Sequence, residues 1–192
     1  MRRFALAFRL LTIGSLVVLA RPARADVSSW LAIGGGVGLE HSSVTSTTDG
    51  AGAFSALIGV GTDPRSSLVV GGVFRSVTYG NLGTDISLSA RFASGGYARG
   101  QWGVALDVGV AARLWQSSDY GAYPLQGVLT LGAPWGLQVA LGTDVWSIGG
   151  APFATGGFAL VEIDLLRLTV MRQGATDAIW KNPSPAGGPL SN

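Results

Sequence analysis

Trp102-Gly103-Val104-Ala105-Leu106-Asp107-Val108-Gly109-Val110-Ala111-Ala112-Arg113-Leu114 is the stretch that decides the fold. Its even positions, Trp102, Val104, Leu106, Val108, Val110, Ala112 and Leu114, are all apolar. Its odd positions, Gly103, Ala105, Asp107, Gly109, Ala111 and Arg113, are small or charged. Side chains leave a strand alternately on opposite faces, so this segment has one greasy face and one small, polar face. A helical turn would scatter the same residues around its circumference.

The alternation recurs along the chain. In 85–92, Ile86, Leu88, Ala90 and Phe92 oppose Asp85, Ser87, Ser89 and Arg91. In 137–145, Leu137, Val139, Leu141 and Val145 oppose Gln138, Ala140, Gly142 and Asp144. The segments 125–133 and 54–62 follow with one exception each, Val128 and Leu57. A first strand over about 29–40 sets Leu31, Ile33, Val37 and Leu39 against Ala32, Gly34, Gly36 and Gly38. Segment 67–78 is ambiguous, with Val on both faces. In 158–171 the phase slips after Leu165, which predicts a bulge at Leu165-Leu166. Turn signals separate the runs: Thr62-Asp63-Pro64-Arg65, Tyr79-Gly80-Asn81-Leu82-Gly83, Ser94-Gly95-Gly96 and Ala133-Pro134-Trp135-Gly136. The pattern predicts an all-β chain of about eight strands of roughly ten residues each.

Composition decides which way the greasy face looks. The chain of 192 residues is 47% hydrophobic and only 12% charged, where soluble domains carry about 25% charged residues. A soluble barrel would place Lys, Glu and Asp densely on the polar face of each strand. Here that face is mostly Gly, Ala and Ser with one or two charges, which suits the tight interior of a small barrel. Branched aliphatic residues on the other face suit lipid, and apolar-out, polar-in segments of about ten residues are the mark of a membrane barrel. The expected fold is therefore a closed antiparallel up-and-down transmembrane β-barrel.

The N-terminus gives an address. Arg2, Arg3 and Arg9 precede the apolar run Leu10–Ala20, and Ala23-Arg24-Ala25 offers small residues for cleavage, the order of a secretory signal peptide. Residues 1–25 are expected to be removed, 26–172 to form the barrel, and 173–192 to form a Pro/Gly-rich tail. All 11 acidic residues lie beyond residue 25, whereas Arg2, Arg3, Arg9, Arg21 and Arg24 are lost with the leader, so the mature chain is net acidic. Lys181 is the one lysine, and nucleic-acid binding loses its basis. With no cysteine and a single histidine, His41, Cys- or His-based metal sites are excluded, and neither metal nor cofactor is expected.

The polar face yields the candidate site. Arg75, Asp85, Arg91, Asp107, Arg113, Asp144, Glu162, Asp164 and Arg167 all have lumen parity. An Arg on the lipid side at mid-membrane would cost about 2–4 kcal/mol, so these residues are expected to turn inward and pair into a plug. Tyr79, Trp102, Tyr123 and Trp135 fall near strand ends and are expected as interfacial aromatics, whereas Trp30 and Trp146 have inward parity.

The leader and the strands at 29–40, 85–92, 102–114 and 137–145 resemble the small eight-stranded outer-membrane barrels of the OmpA/OmpX type. The resemblance covers nearly all of the mature chain and rests on pattern. It implies a monomer in a Gram-negative outer membrane, in contact with lipid and lipopolysaccharide, with its N-terminus in the periplasm. The links at 41–50, 79–83, 116–122 and 147–156 would then face outside and, with Glu40, Asp49, Asp119 and Tyr120, serve surface recognition. One departure is the end of the chain, Pro189-Leu190-Ser191-Asn192, where family members close on an aromatic-ended strand.

The expected role is structural or surface-interactive, without catalysis. Three other readings stand beside it: a soluble exported barrel binding a small apolar ligand, as lipocalins do, a narrow solute channel, and a lipid A-modifying enzyme. Glu40-His41-Ser42-Ser43 holds the residue types of a triad, but alternation puts Glu40 and Ser42 on one face and His41 on the other.

Overall fold

A computed structural model describes residues 27–42, 46–80, 82–114, 125–146 and 154–169. The segments 1–25 and 173–192, Tyr123, and the link 116–122 with Asp119 and Tyr120 lie outside the described residues. The described chain forms β1 (Ser28–Ser42), β2 (Thr47–Gly61), β3 (Leu68–Tyr79), β4 (Gly83–Ser94), β5 (Gly103–Arg113), β6 (Leu125–Gly132), β7 (Leu137–Trp146) and β8 (Ala154–Asp164). Each strand pairs antiparallel with its chain neighbours, and β1 closes on β8 from Ala32↔Asp164 to Ser42↔Ala154. The fold is a closed up-and-down barrel of eight strands.

The period-two segments form strands with the expected faces. Val104, Leu106, Leu88, Leu129, Leu141 and Val161 are exposed on the outside, while Ala105, Asp107, Ser89, Thr130, Ala140 and Glu162 are buried within. Glycines line the interior where rings cross it. A Cβ on Gly61 would lie 2.6 Å from the Trp30 ring, and one on Gly132 would lie 2.6 Å from the Tyr97 ring. Small residues thus leave the volume that the few large inward side chains fill.

Two local expectations are corrected. Residues 41–50 are not a free link, because β1 runs to Ser42, β2 starts at Thr47, and the ladder pairs Glu40 with Asp49 and His41 with Thr48. β-branched Thr47 and Thr48 favour this extended ribbon. The phase slip at Leu165-Leu166 is not a bulge but the end of β8. The Asp164 carboxylate accepts from the backbone N–H groups of Leu166 at 3.0 Å and Arg167 at 3.3 Å, a side-chain cap that starts the single helical turn α2 (Leu165–Thr169).

The barrel has two unlike ends. At the near end, where β1 begins and β8 finishes, lie the β2–β3 turn, the helical turn α1 (Gly95–Ala98), the 3-10 turn Pro134–Gly136 and α2. Ser94 Oγ accepts from the N–H groups of Tyr97 at 3.3 Å and Val104 at 3.1 Å, tying α1 to β5. Gly136 has φ +77, and a Cβ there would lie 2.7 Å from the Asp164 carbonyl oxygen. Only glycine meets both demands, so the β6–β7 turn can press against the end of β8. The far end carries the other strand connections.

Candidate functional site

The polar interior is built in two layers. The lower one joins six strands and α1. Arg91 on β4 grips Asp107 on β5 with two hydrogen bonds, Nε to Oδ1 and Nη2 to Oδ2, both 2.7 Å. The two residues are cross-strand partners, and the planar guanidinium matches the carboxylate fork. Arg91 Nη1 also donates to the Tyr97 hydroxyl at 3.3 Å, and that hydroxyl donates to Gln138 Oε1 at 2.7 Å. Gln138 Nε2 donates to Glu162 Oε2 at 2.8 Å, while Glu162 Oε1 accepts from Ser55 at 2.6 Å and from Arg75 Nη1. Arg75 Nη2 completes the circuit 3.9 Å from Asp107 Oδ2, an ion pair beyond hydrogen-bond reach.

Aromatic faces complete that layer. Arg91 lies 4.9 Å from the Trp30 ring centroid and 5.6 Å from that of Tyr97, and Arg167 lies 4.6 Å from Tyr97 on α2's side. These are cation–π distances in a site without bulk water. Burial pushes the Tyr97 phenol above its ordinary range, against the pull of Arg91 and Arg167. It therefore remains a neutral donor. Arg167 pairs with Asp164 at 3.5 Å.

The upper layer sits toward the far end. Arg113 on β5 binds its cross-strand partner Asp85 through Nε at 2.6 Å and Nη2 at 2.8 Å. Its Nη1 reaches both oxygens of Glu40 on β1, at 2.9 and 2.8 Å. The guanidinium stands 5.4 Å from the centroid of the Tyr79 ring. Asp144 borders the same cleft as Glu40, Tyr79 and Arg113 and accepts from Gln126 Nε2 at 2.8 Å.

The structure thus places all nine candidate charges inside the barrel and sorts them into groups. Arg75, Arg91, Asp107 and Glu162 share one network, Asp85 and Arg113 a second, Asp164 and Arg167 a third, and Asp144 stands with a glutamine. Among the aromatics, Trp102 and Trp135 are exposed at the near end, 75% and 61%.

Tyr79 is a correction: it is 5% exposed and points inward. It shares the parity of Arg75 on β3, and Gly38 opposite leaves its ring a bare place to lie. Glu40 is another: placed among the outer recognition residues by its sequence position, it is buried and ion-paired to Arg113. His41 faces out and meets Thr48 Oγ1 at 3.0 Å, so Glu40 and His41 do not share a face.

Tyr97, Gln138, Ser55 and Gln126 are members that a search for charges misses. The inward parity of Gln126 and Gln138 is visible in the alternation, and it marks them as network residues. Tyr97 has no such signal, because it lies in a turn rather than a strand. Comparison with protein-family models, curated proteins and solved structures finds no match to this chain.

Proposed function

We propose that this chain is an integral outer-membrane β-barrel with a charge-paired, closed interior, acting as a monomer in a structural or surface-interaction role. One observation carries the reading: the barrel is inside out relative to a soluble one. Leu88, Val161, Val60 and Ile58 are 58–66% exposed on the outer wall, while Arg91, Glu162 and Asp164 are 0% exposed within it. Every strand contributes to that apolar wall, for example Val37, Ile58, Phe74, Leu88, Val108, Leu129, Leu141 and Val161. Exposed apolar surface continuous over a whole molecule far exceeds what water-soluble monomers carry, and hydrocarbon is the solvent it suits. In that solvent backbone groups must pair internally, and a closed ladder satisfies them all.

The interior supports a plug over a pore. The Arg75–Glu162–Gln138–Tyr97–Arg91–Asp107 circuit links β3, β8, β7, α1, β4 and β5 across the lumen. A lipocalin-like role would need an apolar cavity where Trp30, Leu57, Val73 and these ions already pack. The expected position sets the near end, with Trp102 and Trp135, in the periplasm and the far end toward the medium, where the strand connections would meet lipopolysaccharide or a surface partner.

Envelope fractionation and gel mobility test the reading. The protein should remain with detergent-soluble envelope and migrate faster unboiled than boiled. Release by osmotic shock without a heat-dependent mobility change would overturn it. Leu88→Arg sharpens the test, because an Arg at mid-bilayer costs a barrel about 2–4 kcal/mol. The same exposed substitution in a soluble barrel costs within about 0.5 kcal/mol. Unfolding from lipid vesicles reads the difference.

A further inference from the structure

The near end carries a positive charge that the protein leaves unmatched. Arg75, Arg91, Arg113 and Arg167 lie inside the barrel, each against a carboxylate. Arg99, which follows α1, faces neutral oxygens instead. Its Nη1 donates to the Pro64 carbonyl at 3.2 Å and its Nη2 to Gln101 Oε1 at 3.5 Å. No carboxylate of a described residue forms an ion pair with it. These bonds fix the guanidinium without neutralising it. Gly95 makes the placement possible, because a Cβ there would lie 2.9 Å from Arg99 Nη1.

A second observation gives that charge a setting. Pro64 belongs to the β2–β3 turn, and the residue after it is the exposed Arg65. The turn is clasped to α1, where the Gly95 N–H donates to the Ser67 carbonyl at 2.9 Å. Asp63 is the only carboxylate in the turn, and its Oδ1 accepts from the Arg65 backbone N–H at 2.8 Å. The corner therefore holds two arginines against one aspartate, with Ser66 and Ser67 exposed beside them. On the adjoining wall Leu68, Phe92, Trp102 and Val104 are exposed, Trp102 at 75%. The other near-end hairpin turn, 133–136, presents Trp135 but contains no charge.

Excess positive charge at the foot of an apolar wall fits a ligand that is anionic at one end and hydrocarbon at the other. Phosphate oxygens match the planar N–H fork of a guanidinium. We propose that this corner seats the phosphate of an anionic phospholipid, whose acyl chains lie along Leu68, Phe92 and Val104. The seat rests on the outer-membrane reading, in which the near end meets phospholipid. A zwitterionic headgroup binds less well, because the uncompensated guanidinium repels its cation.

The test uses folded full-length protein labelled with 5-fluorotryptophan in neutral-detergent micelles. The Trp102 and Trp135 fluorine resonances are assigned by their loss in Trp102→Phe and Trp135→Phe. Short-chain phosphatidylglycerol should shift the Trp102 resonance saturably, at a concentration at least about fivefold below that needed with phosphatidylcholine of the same chains. Trp135, whose turn is uncharged, should not distinguish the two lipids. Arg99→Gln should abolish the preference at Trp102, and Arg65→Gln, on an exposed side chain, should narrow it. Equal responses to the two lipids at Trp102, an equal preference at Trp135, or an unchanged preference in either folded variant would overturn the proposal. So would the same Trp102 shift with inorganic phosphate alone, which would mark an adventitious ion only. A protein with heat-dependent mobility and no phosphatidylglycerol preference loses this seat and keeps the membrane, whereas release by osmotic shock loses both.

Discussion

The two interior layers use the same parts in different proportions. Each sets a bidentate Arg–Asp pair across the β4–β5 hairpin, Arg91 with Asp107 below and Asp85 with Arg113 above. Each lays a guanidinium over a tyrosine ring. Below, Arg75, Arg91 and Arg167 face Asp107, Glu162 and Asp164, and two helical turns press on that end of the barrel. Above, one arginine serves two carboxylates and a third has only an amide. The lower layer balances its charges and the upper one does not, although each is built around the same bidentate pair. Pairing stoichiometry, rather than residue type, therefore separates the two halves of the interior.

Breaking each pair by the same substitution measures that difference. Arg91→Met should cost about 3–5 kcal/mol, since it strands Asp107 in a site without water and removes a donor from Tyr97. Arg113→Met should cost less, about 1–3 kcal/mol, because the side chains of Arg113 and Glu40 are each 7% exposed, against 0% and 2% for Arg91 and Asp107, so water reaches the Glu40 carboxylate left behind. Equilibrium unfolding of the folded barrel reads both. Equal losses would show that the upper layer is as sealed as the lower, and the contrast would fail.

The faces of the strands were readable from alternation because a closed barrel imposes one rule on every strand. Asp107, Arg113 and Arg91 point inward for the same reason that Leu106 and Leu88 point outward. Even β3, with Val on both faces, carried the answer: Arg75 and Tyr79 share a parity, so a buried Arg75 entails a buried Tyr79. Reading Tyr79 from its nearness to a strand end missed this. Partners were less legible. The register that sets Arg91 against Asp107 also sets Asp85 against Arg113, but it depends on how many residues α1 and its flanks consume. The reach from Arg113 to Glu40 spans strands distant along the chain, and no local pattern encodes it. Glu40 looked like a loop residue because threonines and a glycine follow it, whereas the ladder continues through them. In the sequence the helical turn after Asp164 reads like a bulge because both shift the phase by one. Asp164's cap to Leu166 and Arg167 tells them apart only in three dimensions.

The smallest effects come from the two tyrosines, and they divide the layers most finely. Tyr97→Phe keeps the ring under Arg91 and Arg167 but deletes a hydroxyl that accepts from Arg91 and donates to Gln138. Both partners are buried and would be left short, at about 1–2 kcal/mol. Tyr79→Phe keeps the ring under Arg113, and no hydrogen bond joins the Tyr79 hydroxyl to another described residue, so unfolding should shift by less than about 0.5 kcal/mol. The pair compares like with like, because volume and cation–π geometry are retained in each. If Tyr79→Phe proved as costly as Tyr97→Phe, the upper hydroxyl would have a partner of its own. The far end would then be a second plug, with its acceptors already satisfied.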